Sequence, residues 1–367
     1  MANEMGCVTD YNADTDYFPD KVQVQYSEHW TVEYHNSYKI VRNTDSETSY
    51  VLYQCGTPVP TMEEEHDAVV SIPLGDVGLH YTTFIPYMEL LDKRSNIASM
   101  AGQASWIYSP CLNKMVDEGD VTMVSDINDV ALLGETNVDS TLPFFVGVGT
   151  ENVFETNFEV SEWKETSLLS IFEWVKFFSV FFNQEKQANE IFDERKESID
   201  CSRGNADILA SDEAQPVVLW GTRSDYCGGW DVARSCPNYY CELANTCRAT
   251  LLTSMEGSVD SEICGRNYMT TEEFVAYGKD ADIWIYAGHD GDFASTLEAY
   301  PELKEFTSVK NDKVYDVSGQ TMDAWFGVRK VEPGEYGSRT SISTCVLTSM
   351  QYELTYLLFF FQIYFFC

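Results

Sequence analysis

The sequence predicts an α/β protein of two lobes joined by one long helix. Three observations carry this. At 367 residues the chain is too long for one comfortable core. A strand, loop, helix, strand pattern runs through its first 150 residues and restarts beyond residue 215. Between them, residues 150–203 contain neither Gly nor Pro, although the chain holds 22 Gly and 11 Pro.

VQVQY (22–26), WTVEYH (30–35) and YKIVR (38–42) alternate apolar and polar residues and read as short strands. YVLYQ (50–54) is a strand closed by the loop CGTPVP, and DAVVSIPL (67–74) is a continuous apolar strand. GDVGLHYTT then opens a helix expected to reach about Leu91. NIASMAG (96–102) and FFVGVG (144–149) are further strands, and ASWIYSPCLNKMV between them suits a helix. In the second half PVVLW (216–220), ADIWIYAG (281–288) and KVYDVSG (313–319) read as strands, with a helix at MTTEEFVAYG (269–278).

Ser161–Asp193 is the organising stretch. Leu168, Ile171, Phe172, Val175, Phe178 and Phe182 follow helical spacing, and Trp174, Phe177 and Phe181 form a second apolar stripe beside them. Uninterrupted helix is expected there, with its charged second half lying on the second lobe. Glu173 and Lys176 interrupt any membrane span. The divisions expected are a first lobe at 1–155, the interlobe helix at 156–200, a second lobe at 201–340, and an apolar tail at 341–367 that does not continue the pattern.

Composition narrows function. With 23 basic and 59 acidic residues the net charge is −36, which repels phosphate backbones and argues against a nucleic-acid partner. Five of the eleven cysteines, Cys227, Cys236, Cys241, Cys247 and Cys264, fall within 38 residues without a paired C-x2-C. Disulfides pinning a surface insertion at 227–264, in an oxidising, extracellular or cell-surface setting, are the expectation rather than zinc. The first residues, MANEMGCVTD, lack a basic and apolar leader, so a signal is expected upstream of this chain. No GxSxG, P-loop, HExxH or strand-borne GxGxxG occurs, so no enzyme is expected.

The order of YVLYQCGTPVP, VVSIPLGDVGLHYTTFIPYMELL, EWVKFFSVFFNQEKQANEIF, PVVLW and TTEEFVAYGKDADIWIYAG resembles the helical-backbone (class III) substrate-binding proteins that serve importers of ferric siderophores and vitamin B12. Phe181, Phe182, Asn183, Glu185 and Ala188 match that family's central-helix text, and DAWFGVR (323–329) resembles its late helix. The Cys-rich insertion is similar to eukaryotic algal relatives. The resemblance implies Rossmann-like lobes with a ligand cleft between them. It also implies a non-catalytic, monomeric extracellular protein that captures an iron-siderophore complex, a related metal chelate or cobalamin and passes it to a membrane transporter or receptor. Direct binding of ferric or another metal ion, and a structural surface protein that has lost its ligand, are the alternatives.

Loops at the carboxyl ends of the strands would line that cleft. They carry His80, Tyr81, Trp106, Tyr108, Arg223, Tyr226, Trp230, His289, Asp290 and Trp325. Aromatics that stack on a planar ligand, with one Arg and two His, suit a bulky chelate. Trp106 and Trp230 would serve equally as plugs of their lobes, and Arg223 equally as half of a surface ion pair.

Overall fold

The computed structural model describes residues 3, 5–104, 107, 109–124, 141–150, 154–209, 215–262, 264, 266–286, 293–316, 328–330 and 341–342. They divide into two compact units, with the boundary after Glu197.

The first unit contains two sheets. β1 (Trp30–Tyr34), β2 (Tyr38–Asn43) and β3 (Thr48–Gln54) form an antiparallel meander, and β4 (Ala68–Ile72) pairs in parallel with β3. The second sheet is wholly parallel, in the order β7-β6-β5-β8-β9, from β5 (Val77–Leu79), β6 (Ile97–Ala101), β7 (Thr122–Val124), β8 (Phe144–Gly147) and β9 (Asn157–Val160). Helices α1 (Ile85–Leu90) and α2 (Pro110–Glu118) follow β5 and β6. Each carries Pro in its first turn, Pro86 at the second position of α1 and Pro110 at the first of α2, where the missing N–H costs nothing. Every residue of β5 and β8 is buried, as expected of central parallel strands.

The sequence expectation at 22–26 fails. These residues form no strand: the Val22 amide donates to the Tyr34 hydroxyl, and the amides of Gln25 and Tyr26 go to a carboxylate rather than a ladder. The fully buried Glu173 carboxylate accepts from the amides of Gln25 (3.0 Å), Tyr26 (2.7 Å) and Ser27 (2.8 Å), while Lys176 donates to the Gln23 carbonyl at 3.1 Å.

The single long helix is corrected as well. Residues 157–160 are strand β9, and a short 3-10 turn, Glu162–Lys164, follows. Helical structure then comes in three pieces, α3 (Leu168–Phe172), α4 (Trp174–Val180) and α5 (Glu185–Leu209). The main break, at 181–184, needs neither Gly nor Pro. Asn183 supplies the left-handed conformation, φ 56°, which Asn tolerates better than most residues. Its side chain is paid for in hydrogen bonds: Nδ2 donates to Gln54 Oε1 and Oδ1 accepts from Lys39, both at 2.8 Å.

Both apolar stripes are buried within the first unit. Phe178 meets Phe145 at 4.7 Å and Tyr87 at 5.1 Å between ring centres, and Phe181 meets Phe158 at 4.5 Å. The charged half begins on this unit rather than on the second. Asn189 donates to the Lys21 carbonyl at 2.9 Å, and buried Phe192 lies 5.6 Å from the Tyr26 ring.

The second unit is built on β10 (Val217–Ser224), β11 (Gly229–Val232), β12 (Thr250–Leu252), β15 (Ile283–Tyr286), β16 (Val314–Asp316), β17 (Val328–Lys330) and β18 (Ser341–Ile342), with a separate hairpin of β13 (Val259–Ser261) and β14 (Arg266–Tyr268). β12, β10, β15 and β16 run in parallel. Helices α6 (Tyr239–Thr246), α7 (Thr271–Gly278), α8 (Phe293–Ala299) and α9 (Thr307–Lys310) complete it. Val328 and Arg329 pair antiparallel with β16 or β18 rather than forming the late helix; 323–327 lie outside the described residues. The insertion is clamped as expected, by Cys227–Cys264 and Cys236–Cys241, and Cys7–Cys55 ties the first residues to the loop after β3.

Candidate functional site

The carboxyl ends of the parallel sheet in the first unit bring together two of the expected residues. His80 follows β5 directly, its amide bonded to the Phe145 carbonyl at 2.9 Å, so the strand's own ladder fixes it at the sheet end. Its ring stacks on Tyr81, 4.1 Å between centres and 17° from coplanar. Thr150 Oγ1 lies 3.2 Å from His80 Nδ1, and the Gly147 amide points to the same nitrogen from 3.4 Å. Tyr81 is 41% exposed, and its ring lies so close to Gly147 that a Cβ there would fall 2.0 Å from Cε2. The end of β8 must therefore be glycine for the stacked pair to lie down against it.

Tyr81 enters a 3-10 turn, Thr82–Phe84, that leads into α1. Thr83 Oγ1 donates to Glu162 Oε1 at 2.8 Å, joining this turn to the one after β9. Burial pushes the Glu162 carboxyl up to about 7, against the lowering effect of the Thr83 hydroxyl and nearby amides. Burial and the Glu162 charge raise the Tyr81 phenol, so it remains a neutral hydrogen-bonding group. Next to Glu162, Trp163 is 60% exposed with the Lys164 ammonium 5.3 Å above its ring. Glu162 and Trp163 were not singled out from the sequence. The available signal was NFEV at 157–160, whose Phe158 and Val160 alternate inward and mark a strand.

The second unit holds three more expected residues, and there the structural alternatives prevail for two. Trp230 lies in β11, 1% exposed, stacked on Phe274 at 4.2 Å with its Nε1 donating to Thr271 Oγ1 at 3.1 Å. It is a core residue and not a ligand contact: Gly229 and Met269 bring β11 over the core and turn the indole inward. Arg223 donates to Tyr300 Oη at 3.0 Å, to the Gly229 carbonyl at 2.9 Å and to the Ser224 carbonyl, and pairs with Asp225 at 3.3 Å. Its guanidinium holds the β10–β11 turn together. Tyr226, in that turn, is 73% exposed. Trp106, Tyr108, His289, Asp290 and Trp325 lie outside the described residues. Among the described residues no group of three His, Cys, Asp or Glu could hold a metal ion, and no helix is long and apolar enough to cross a membrane.

Two α/β units with parallel sheets match the fold of a periplasmic binding protein. A periplasmic heme-binding protein from Pseudomonas aeruginosa superimposes with a TM-score of 0.52 at 13% identity, covering 71% of this chain and 88% of that one. At that identity the likeness establishes the fold. In sequence, an uncharacterized lipoprotein of Methanocaldococcus jannaschii is 24% identical over 287 residues, 72% of this chain and 66% of its own. A second uncharacterized protein of that organism is 26% identical over 163 residues, 43% of this chain and 45% of its own. The chain thus spans less than two-thirds of either curated relative. Both are archaeal, and neither supports an algal origin. No family model matches the chain.

Proposed function

We propose that the protein is a non-catalytic, extracellular solute-binding protein that captures a bulky ferric chelate, of the siderophore or heme type, for delivery to a membrane transporter. The observation that carries this reading is the stacked His80–Tyr81 pair at the carboxyl end of a parallel sheet, half exposed and backed by Gly147. A flat face of that kind stacks on a planar or aromatic chelate, while the phenol and imidazole offer hydrogen bonds to its rim. The periplasmic heme-binding protein that shares the fold supports the same class of cargo.

The test is tryptophan quenching and thermal shift of the disulfide-bonded chain, titrated with hemin, a ferric hydroxamate, a ferric catecholate, cobalamin and free ferric ion. A chelate should bind, and Tyr81→Ala should weaken it on the order of tenfold, the scale of one lost aromatic contact. Silence toward every probe would reject the binding role. Binding of the free ion alone would favour direct metal capture.

A further inference from the structure

Among the described residues near the stacked pair, Glu162 is a buried group whose chemistry the binding reading does not use. It stands at the exit of β9 and is only 4% exposed. Oε1 has the Thr83 hydroxyl as its donor, and the buried Oε2 has no hydrogen-bond partner among the described residues. Thr83 belongs to the turn that Tyr81 enters, so this one bond joins the β9 exit to the segment carrying the pair.

The groups facing Glu162 offer an ionised carboxylate little. From the turn and α1 come the phenols of Tyr81 and Tyr87, both of which register its negative charge. From its own turn come its amide and that of Trp163. His80 is stacked on Tyr81 and directs Nδ1 to Gly147 and Thr150. Of the two carboxylates equally near in sequence, Glu165 is engaged by Ser27 and by Trp174 Nε1 at 3.1 Å, and Glu159 lies in β9 with a buried Oε2 that has no hydrogen-bond partner among the described residues. The nearest cation in sequence, Lys164, is committed to Asp45 at 2.6 Å.

We propose that Glu162 is a proton-dependent latch on the turn that presents Tyr81. Protonated, it keeps the Thr83 bond and leaves no buried charge, and the turn stays closed on the sheet. Ionised, it needs water that its site excludes, and the turn opens to admit it. The consequence for ligand is that the aromatic pair is best ordered at mildly acid pH and loosens as the pH rises to neutral, with little further change in alkali. That consequence rests on the binding reading above, whereas the latch does not.

Hydrogen exchange on the ligand-free, full-length, disulfide-bonded chain tests the latch directly. The reporters are the Phe84 and Ile85 amides, which close the turn onto Tyr81 and Thr82. After correction for intrinsic exchange, their protection should fall about tenfold from pH 6 to pH 8, the linkage expected for a carboxyl that ionises near 7 when closed and near 4.3 when open. Glu162→Gln should abolish that fall. Thr83→Val should leave protection low at both pH values. Equal wild-type protection at pH 6 and pH 8, or a Gln variant that falls like wild type, would overturn the latch, and the wild-type arm decides even if the variant fails to fold. Hemin titration at the same two pH values reads the second arm. Weaker binding at pH 8 in wild type alone links latch to site. Unchanged affinity despite lost protection would sever that link, and no hemin binding at either pH would count against hemin as the ligand without touching the exchange result.

Discussion

Lys39→Met is the sharpest test of how the first unit is held. Lys39 and Glu185 are both fully buried and bonded to each other. The ammonium also donates to the Val180 carbonyl and to Asn183 Oδ1, each at 2.8 Å, and sits 4.5 Å from the centre of the Phe18 ring. Glu185 keeps Asn3 Nδ2 at 2.8 Å and the Tyr34 hydroxyl at 3.4 Å, neither charged. Burial lowers the Lys39 pKa and Glu185 opposes that fall, so the pair stands against desolvation only together. Removing the cation strands a buried carboxylate and frees two acceptors that cap the break at 181–184. The expected cost is about 3–5 kcal/mol. Adding Glu185→Gln to Lys39→Met should recover about 2 kcal/mol or more. The assay is native-state hydrogen exchange on the β2 and β3 amides, because a chain of two units need not unfold in one step. A single variant within 1 kcal/mol of wild type, or a double variant no better than the single, would refute the reasoning.

Phe178→Ala, at a site with four aromatic neighbours, should cost about 3–5 kcal/mol in the same assay, and near-neutral stability would show that the cavity collapses freely. Arg223→Ala should destabilise the second unit by about 1.5–3 kcal/mol while leaving hemin affinity unchanged; a loss of affinity without a loss of stability would return Arg223 to the ligand. Gly147→Ala should push the Tyr81 ring off the end of β8 and weaken hemin at least as much as Tyr81→Ala, as read by the same quenching titration. For Glu162, the folded state holds its proton up to about 7, above the unfolded value, so the native state binds more protons between about pH 4.5 and 7. Stability should therefore fall as pH rises through that window, by roughly 3 kcal/mol at most, with the difference between wild type and Glu162→Gln as the readout.

Much of the fold was legible. Strands at 30–34, 38–43, 68–72, 144–147 and 283–286 stand where alternation or a short apolar run placed them, and the helix at 271–278 starts at the Thr270 and Glu273 capping box. Of the candidate site, the position of His80 and Tyr81 was legible, because a residue just after a buried parallel strand must emerge at the sheet's carboxyl end. Trp230 misled because the sequence around it is Gly-rich and looks like a loop, whereas pairing with Arg223 and Met269 makes it a strand facing the core.

The sequence by itself determined the elements whose residues satisfy one another locally: the apolar strands, the capped helices, and the stripes on the central helical stretch. Tertiary structure decided whatever depends on buried polar partners far away in the chain. Residues 22–26 alternate like a strand, yet the Gln25 and Tyr26 amides go to Glu173, about 150 positions on. The central stretch contains no helix breaker, yet it breaks at Asn183 because Lys39 and Gln54 meet it there. Glu162 looks like one acid among 59, and only its burial beside Thr83 sets it apart. A buried polar group must find its partner wherever the chain can supply one, and no local pattern records that choice.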